Sequence, residues 1–250
     1  MRVAIVIPAR YGSSRLPGKP LLAQTGKYLI QHVYERACQS RWAERVIVAT
    51  DDQRIAQAVA SFGGQAVMTR REHQSGTDRV AEVAAELDAD IIVNLQGDEP
   101  LIDPAALDRL PELLAADPSA QIATLAVPIA SLEQWLSPHC VKVVCDGQGR
   151  ALYFSRSPIP HVRDSHPDFA QQPPRFLQHL GLYAYRREAL LRLASIPPHP
   201  VELLEQLEQL RALALGWKIQ VGLVQHAAGG VDTPADYERF VRLVRGGAAA

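Results

Sequence analysis

The stretch VAIVIPARYGSSRLPGKPL, residues 3–21, joins an apolar run to a loop rich in positive charge and glycine. Residues 3–7 are short, apolar and rich in valine and isoleucine, which is typical of a buried strand. The loop that follows carries Arg10, Arg15 and Lys19. A connecting loop needs none of these charges, so the sequence predicts that this loop binds an anion, most plainly a phosphate.

The first half of the chain alternates strand-like and helix-like segments. Two further apolar runs, 45–49 and 91–95, predict buried strands. Helical spacing of apolar residues predicts helices over 29–40, 53–62 and 78–87. A βαβ rhythm of this kind predicts a parallel sheet covered by helices on both faces. Ligands bind such sheets beyond the carboxyl ends of the strands, so we expect loops 8–20, 50–52 and 96–100 to converge.

The composition restricts the class of protein. The chain has 250 residues, 47% of them hydrophobic, and a formal net charge of −1. This length fits a single domain, 1–250, and the small charge argues against a nucleic-acid or membrane partner. The N-terminal apolar run is too short for a signal peptide, and no stretch reaches the ~20 apolar residues of a membrane span. Three irregularly spaced cysteines argue against a disulfide framework or structural zinc, so we expect a cytoplasmic protein.

The middle of the chain is richer in strands. Segments 121–129, 141–145, Ala151–Ser155 and 176–185 predict strands, and a proline-rich irregular stretch covers 158–174. We interpret residues 141–186 as a β-rich excursion from the main sheet. Exposed apolar strands often pair with a second subunit, which predicts a homodimer, although a lobe within one subunit explains the pattern equally well.

The C-terminal region predicts three further elements. Leu203, Leu207, Leu210 and Ala214 form an apolar stripe that predicts one helix over 202–215, ended by Gly216. A strand over 218–224 and a closing helix over 235–244 are expected to follow.

The cationic loop matches neither of the common phosphate-binding motifs. Five residues separate Gly12 from Gly18, and Lys19 is followed by Pro20 where a P-loop needs a hydroxyl. The Rossmann pattern G-x-G-x-x-G is also absent. What remains is a glycine loop with guanidinium forks and one ammonium, which suits a triphosphate and the charge that develops on a pyrophosphate leaving group.

A set of motifs along the chain resembles the sugar-nucleotide cytidylyltransferases, in the order of that family. The motifs are PARYGSSRLPGKPL (8–21), VATDD (48–52), MTRREHQSGTDR (68–79), NLQGDEP (94–100), ALYFSR (151–156), HLGLYAYR (179–186), LEQLEQLR (204–211) and GVDTPADYE (230–238). The resemblance implies an α/β, Rossmann-like three-layer nucleotidyltransferase fold with a mostly parallel central sheet. It also implies magnesium-dependent transfer of CMP from CTP to the sugar acid 3-deoxy-manno-octulosonate (Kdo), for lipopolysaccharide synthesis.

Two aspartates are candidate magnesium ligands. Asp98 follows a buried strand and a glycine, where a carboxylate can face the cleft, although aspartate at such a turn often caps its own backbone. Asp232 precedes Thr233-Pro234, and local sequence more simply explains Asp232 or Thr233 as the N-cap of the following helix. The resemblance favours the metal interpretation, because the family's aspartate in this motif joins the strand aspartate in binding magnesium. Glu99 receives no role.

The nucleotide and the sugar acid receive separate candidate residues. A cytosine can be read by backbone groups and an arginine in the 68–79 loop, although Ser75, Thr77 and Asp78 are also ordinary N-caps. With the resemblance, the predicted nucleotide-binding residues are Arg10, Gly12, Ser13, Arg15, Lys19, Arg70, Ser75, Gly76 and Asp98, with Arg71 as the alternative to Arg70. The predicted sugar-binding residues are Gln96, Tyr153, Arg156, His179 and Glu208, each of which also has an ordinary structural explanation.

The expected reaction is a direct nucleotidyl transfer. The anomeric hydroxyl of the sugar attacks the α-phosphate of CTP, and pyrophosphate leaves. The predicted catalytic residues are Arg10, Arg15, Lys19, Asp98 and Asp232, because positioning and electrostatics carry most of this chemistry. The alternatives are a related sugar acid, such as a neuraminic acid or 8-amino-Kdo, and a non-catalytic nucleotide-binding protein of the same fold.

Overall fold

The computed structural model describes residues 1–12, 16–226 and 229–247. Its strands are β1 (Val3–Ala9), β2 (Ala43–Thr50), β3 (Ala66–Met68), β4 (Ile91–Asn94), β5 (Ile122–Pro128), β6 (Lys142–Cys145), β7 (Ala151–Ser155), β8 (Leu177–Arg186) and β9 (Ile219–Leu223). Its helices are α1 (Leu29–Ala37), α2 (Gln53–Ser61), α3 (Gly76–Ala85), α4 (Pro104–Ala116), α5 (Leu132–Leu136), α6 (Arg187–Ser195), α7 (Pro200–Glu205), α8 (Gln209–Ala214) and α9 (Pro234–Gly247). None of the helices in these described residues is both long and apolar enough to cross a membrane.

The chain divides into two compact units, and the first contains the cationic loop. This unit comprises Met1–Asp108 and Ala228–Ala250. Its strands lie in the order β3-β2-β1-β4, and every pairing is parallel. β1 and β4 are almost wholly buried, as expected for parallel strands covered on both faces. The predicted strands and helices of this half are confirmed, and the short strand β3 is an addition.

Helix caps fix where the helices of the first unit begin. The Asp52 carboxylate accepts a hydrogen bond from the Arg54 N–H at the start of α2. Ser75 and Asp78 form a reciprocal capping box at the start of α3. These caps place the N-termini of α2 and α3 directly after the sheet-edge loops. α1 and α9 pack through a cluster of buried residues, Leu29, Val231, Tyr237, Phe240 and Val241.

The second unit, Arg109–Ala227, contains a mixed sheet. β5 pairs with β8 in antiparallel and with β9 in parallel orientation, and β6 pairs with both β7 and β8. The predicted strands of this region are confirmed. The β-rich segment 141–186 lies within this unit, and the interpretation of residues 1–250 as a single domain stays a prediction.

The predicted single helix over 202–215 is wrong. α7 and α8 are separate helices, with Gln206 between them in the left-handed region at φ 53°. The Arg211 guanidinium bonds both carboxylate oxygens of Glu202, at 2.5 and 2.8 Å. In one continuous helix, residues nine positions apart lie about 13 Å apart along the axis and on opposite sides, so this buried ion pair requires the break. Leu203 is accordingly exposed, whereas the Gly216 stop is confirmed at φ 73°.

Candidate active site

A cleft of about 320 Å³ opens at the carboxyl ends of β1 and β4. The β1 end contributes Arg10, the β4 end contributes Gln96 and Asp98, and the start of α3 contributes Ser75 and Gly76. A second cavity shares Arg10 with this cleft and extends to Asp51 and Asp52. The expected convergence of loops 8–20, 50–52 and 96–100 is therefore confirmed.

Lys19 brings the two candidate metal ligands together. Its Nζ donates to Asp98 Oδ2 at 2.7 Å and lies 3.3 Å from Asp232 Oδ1. The lysine side chain is only 14% exposed, whereas the Asp232 side chain is 50% exposed. Two carboxylates from distant parts of the chain thus meet at one cationic position. The N-cap role that local sequence offered to Asp232 or Thr233 is confirmed for Thr233: the Asp236 N–H donates to Thr233 Oγ1 at 3.2 Å, and the Asp236 carboxylate accepts from the N–H groups of Asp232 and Thr233.

Close backbone contacts set the positions of these three side chains. Gly18 adopts φ 67°, which starts the short 3-10 turn Lys19–Leu21 that carries the lysine. A Cβ at Gly97 would lie 2.9 Å from the Pro8 carbonyl oxygen, so only glycine permits this approach of β1 and the turn before Asp98. The Val231 N–H donates to the Asp98 carbonyl at 2.8 Å, which fixes the segment carrying Asp232 against that turn.

Glu99 lies beside this carboxylate pair. Burial, together with the negative charges of Asp98 and Asp232, raises the pKa of Glu99 to about 8, while Lys19 opposes the shift. Accumulated carboxylates favour either a retained proton or a bound cation. This end of the cleft is therefore suited to positive charge.

The donor set of the cleft fits magnesium. Within the described residues, no cluster of three or more histidine, cysteine, aspartate or glutamate side chains forms a complete metal cage. Asp98 and Asp232 instead supply two oxygen donors at a position that already accepts an ammonium. Magnesium commonly takes one or two carboxylates and completes its shell with phosphate oxygens and water, so the pair suits a metal that arrives with a nucleotide.

The second cavity is lined largely by charged residues. Its acids are paired internally, since Asp51 bonds Arg79 at 2.9 Å and Asp52 bonds Arg54 at 2.7 Å. The Arg54 guanidinium also stacks over the Tyr11 ring at 3.4 Å. Arg10, Gly12 and Arg71 also line this second cavity. The predicted phosphate ligands Ser13 and Arg15 lie outside the described residues.

The predicted base-reading loop reaches the cleft only with its second half. Ser75 and Gly76 line the cleft, and Ser75 also caps α3, so its structural role is confirmed and its role in nucleotide binding stays a prediction. Arg70 does not line either of these cavities: its Nε lies 3.5 Å from Glu82, and its side chain is largely exposed. Arg71 lies on the second cavity. The assignment of either arginine to the base stays a prediction.

The sugar-binding candidates are divided between the units. Gln96 lines the cleft of the first unit, and its amide donates to the buried Asn94 at 3.3 Å. Tyr153, Arg156, His179 and Glu208 belong to the second unit. The Arg156 guanidinium donates to the backbone carbonyls of Pro138, Glu205 and Gln206. These three bonds give Arg156 an ordinary structural role, and its role in binding the sugar acid stays a prediction.

His179 is buried and neutral. Its Nε2 lies 2.9 Å from Thr124 Oγ1, and its ring contacts those of Phe154 and Tyr183. Burial lowers the pKa of His179 to about 3. Burial also raises the pKa of Tyr183, with a further contribution from the Glu208 carboxylate, which places Glu208 near this aromatic group. Tyr153 is partly exposed on β7.

Sequence reasoning missed two residues that line the cleft. Arg79 and His73 line both cavities. Both lie within the 68–79 motif, but a buried arginine one turn into a helix cannot be distinguished by sequence from a surface cation. Only its partners, which come from other segments, reveal its position.

The fold and this phosphate-suited cleft define a nucleotidyltransferase. The sequence model described as cytidylyltransferase matches residues 4–219, and the chain belongs to the cytidylyltransferase family. Among its relatives are proteins named 3-deoxy-manno-octulosonate cytidylyltransferase. The one from Geobacter metallireducens is 51% identical over 246 residues, covering 96% of this chain and 97% of the relative. The one from Syntrophobacter fumaroxidans is 53% identical over 247 residues, covering 98% and 97%.

Solved structures agree with the fold. A CMP:2-keto-3-deoxy-manno-octonic acid synthetase, solved in complex with CTP, matches with a TM-score of 0.92 and 48% identity. The match covers 99% of this chain and 100% of that one, which confirms the predicted α/β fold class. A cytidylyltransferase from Leptospira borgpetersenii matches with a TM-score of 0.65 and 22% identity, covering 98% and 87%, which shows the shared fold alone.

Proposed function

We propose that this protein transfers CMP from CTP to Kdo, giving CMP-Kdo and pyrophosphate. The observation that carries the proposal is the meeting of Lys19, Asp98 and Asp232 at the nucleotide cleft. The full-length similarity to proteins named for this reaction supports the choice of CTP and Kdo.

The residues of the cleft supply positioning and charge. The anomeric hydroxyl of the sugar attacks the α-phosphorus of CTP, a new P–O bond forms, and the bond to the pyrophosphate group breaks. Arg10 and Lys19 neutralise charge on the phosphates, and Arg15 is proposed to do the same. No side-chain nucleophile is required, because in-line attack needs orientation and charge stabilisation.

We propose magnesium as the cofactor, held by Asp98 and Asp232. When bound, a divalent cation neutralises phosphate oxygens and lowers the pKa of a coordinated hydroxyl. Lys19 then has the triphosphate as an alternative partner to the two aspartates. The ammonium of lysine sits on a flexible stem, so Lys19 is able to move from the carboxylates to a phosphate.

The sugar-binding roles of Gln96, Tyr153, Arg156, His179 and Glu208 are proposals based on the family resemblance. Gln96 has the most direct structural support, since it lines the cleft beside Asp98. Arg156 has the least, because its guanidinium holds backbone carbonyls. We also propose a cytoplasmic homodimer that serves lipopolysaccharide synthesis.

The decisive experiment is an assay of pyrophosphate release across substrates. The purified protein is incubated with magnesium and CTP, UTP, dTTP or ATP, each with and without Kdo, 8-amino-Kdo or a neuraminic acid. The proposal expects release only with CTP and Kdo, together with CMP-Kdo in the product. Release with another sugar acid alone would assign a different acceptor, and nucleotide binding without release under any condition would indicate a sensor.

A further inference from the structure

Helix α3 holds the loop formed by residues 69–75 through a buried arginine. Arg79 is 4% exposed and lies one turn into the helix. Its Nη2 donates to Asp51 Oδ2 at 2.9 Å, and its Nη1 donates to Thr69 Oγ1 and, at 3.4 Å, to the Arg70 carbonyl. One guanidinium therefore bonds three acceptors on two segments of the chain, Asp51 on one and the adjacent Thr69 and Arg70 on the other.

These contacts join the ends of two strands to the start of the loop. Asp51 directly follows β2, and Thr69 directly follows β3. The Thr69 N–H also donates to the Thr50 carbonyl at 2.8 Å. Arg79 thus fixes the point where the 69–75 loop leaves the sheet. A planar fork can reach several acceptors at once, whereas a lysine ammonium on a flexible stem cannot reproduce that geometry.

Glu82 holds the same loop further along. It lies three residues after Arg79, so both side chains are on one side of α3. Its carboxylate accepts from the Arg70 N–H at 3.1 Å, lies 3.5 Å from Arg70 Nε and contacts His73 Nε2. The His73 and Arg70 contacts lower the pKa of Glu82, so this carboxylate stays ionised.

We propose that Arg79 and Glu82 are positioning residues that fix the 69–75 loop so that it discriminates cytosine from uracil in the bound nucleotide. The inference rests on the proposed function of cytidylyl transfer. His73, Gln74 and Ser75 are the loop residues that line the cleft. Discrimination between these bases depends on hydrogen-bond donors and acceptors that are held in place. A loop released from α3 is therefore expected to lose its preference for CTP over UTP before the rate of the transfer step falls.

Arg79 also lines the cleft, so direct contact with the nucleotide is the competing explanation. A double-mutant cycle separates the two. If Arg79 acts through its bond to Asp51, then Asp51→Asn and Arg79→Lys disrupt the same arrangement, and the double variant is little worse than Arg79→Lys. If Arg79 instead contacts nucleotide independently of Asp51, the two effects add.

The experiment measures kcat and KM for CTP and UTP in Arg79→Lys, Glu82→Gln, Asp51→Asn and the Asp51–Arg79 double variant. Arg150→Lys is the matched control, because Arg150 makes a comparable two-bond contact with Asp117, at 2.8 and 3.0 Å, in the other unit. We expect Arg79→Lys to raise KM for CTP about tenfold with kcat within about twofold, as for loss of a charged hydrogen bond. The CTP/UTP ratio of kcat/KM should fall in Arg79→Lys and Glu82→Gln but not in Arg150→Lys.

An unchanged CTP/UTP ratio in both α3 variants would overturn the proposal, as would additive losses in the cycle. Failure of this proposal can be distinguished from failure of the proposed transfer reaction. Calorimetry gives the dissociation constants of CTP and UTP, and their ratio reports base preference even if no transfer occurs. A wild-type protein that prefers CTP without turning it over would refute the transfer reaction alone. Melting temperatures of Arg79→Lys and Arg150→Lys identify any loss that is due only to unfolding.

Discussion

At the scale of single residues, the site depends on one ammonium shared by two carboxylates. Lys19 contacts Asp98 and Asp232; the lysine side chain is largely buried, whereas the two aspartates remain partly open to the cleft. The same position suits a divalent cation bound with CTP. Neutralising either carboxylate therefore removes an oxygen donor while leaving the volume of the site unchanged.

Asp98→Asn is expected to lower kcat for pyrophosphate release at least about 100-fold, because the proposed magnesium site loses one of its two carboxylate charges. The assay varies magnesium at saturating CTP and Kdo. Asp88→Asn is the control, since Asp88 is exposed and pairs with Arg2 at a distance from the cleft lining. Near-normal rates with magnesium in Asp98→Asn would refute the metal assignment.

His179 makes a prediction about pH. Its pKa is about 3 in the folded protein and 6.5 in a model peptide, so the unfolded chain binds an extra proton between these values. Stability from this group is complete above about pH 6.5 and falls as the pH drops towards 3, by at most about 1.4 kcal/mol per pH unit. Urea unfolding measures the free energy of unfolding at each pH. Its slope against pH should be smaller in His179→Gln than in the wild type, by an amount that corresponds to at most one bound proton. Identical slopes for both proteins would contradict the assignment of His179 as buried and neutral.

The sequence indicated which charged residues form the site, but it did not indicate which groups those residues bond. Arg10, Lys19 and Asp98 could be predicted to meet because strand ends in a parallel sheet converge, whereas Asp232 was placed with them only by the family resemblance. Arg79 and Arg156 could not be distinguished from surface arginines, since the acceptors that hold them come from remote segments. Burial of a charged side chain is a property of tertiary structure.

At the scale of elements, the approach of β1 to the turn after β4 controls the geometry of the cleft. Gly97→Ala would place a methyl group 2.9 Å from the Pro8 carbonyl oxygen, so one backbone must shift. We expect a loss of about 1–3 kcal/mol in unfolding free energy and a larger loss of activity, because Asp98 is the next residue. Chemical denaturation and the pyrophosphate assay measure the two effects.

Gly147→Ala is the matched control for that substitution. An added Cβ at Gly147 meets nothing within 4 Å, so its stability and activity should match the wild type. Equal effects of the two substitutions would show that the close approach at Gly97 does not constrain the cleft.

The sequence predicted strands and helices well where the spacing of apolar residues was regular. It predicted them poorly where contacts with other segments determine where a helix begins or ends. The buried strands β1, β2 and β4 were recognisable because both faces are apolar. The helices α4, α5 and α6 were not predicted; α4 contains Pro111, which weakens its local signal. Leucine spacing suggested one long helix over 202–215, but the Glu202–Arg211 pair requires two.

At the scale of the whole molecule, apolar side chains are exposed on the second unit. Leu152 and Tyr153 of β7 are 60% and 39% exposed, and Leu203 and Leu204 of α7 are 57% and 84% exposed. Such side chains are compatible with the proposed homodimer, in which a partner would cover them. The predicted β-rich excursion includes β7 but not α7.

Leu152→Glu together with Leu204→Glu is expected to convert a dimer to a monomer, because buried carboxylates without partners oppose association. Sedimentation velocity across protein concentrations measures the change. Leu243→Glu on α9, another exposed leucine, is the control and should leave the dimer intact. A wild-type chain that sediments as a monomer at every concentration would refute the proposed homodimer.

The bond between the Val231 N–H and the Asp98 carbonyl has a consequence for biosynthesis. Lys19 and Asp232 are 213 positions apart, so the ribosome produces the cationic loop long before the second carboxylate emerges. A nascent chain therefore cannot assemble the complete charge arrangement until α9 and the segment before it have left the exit tunnel.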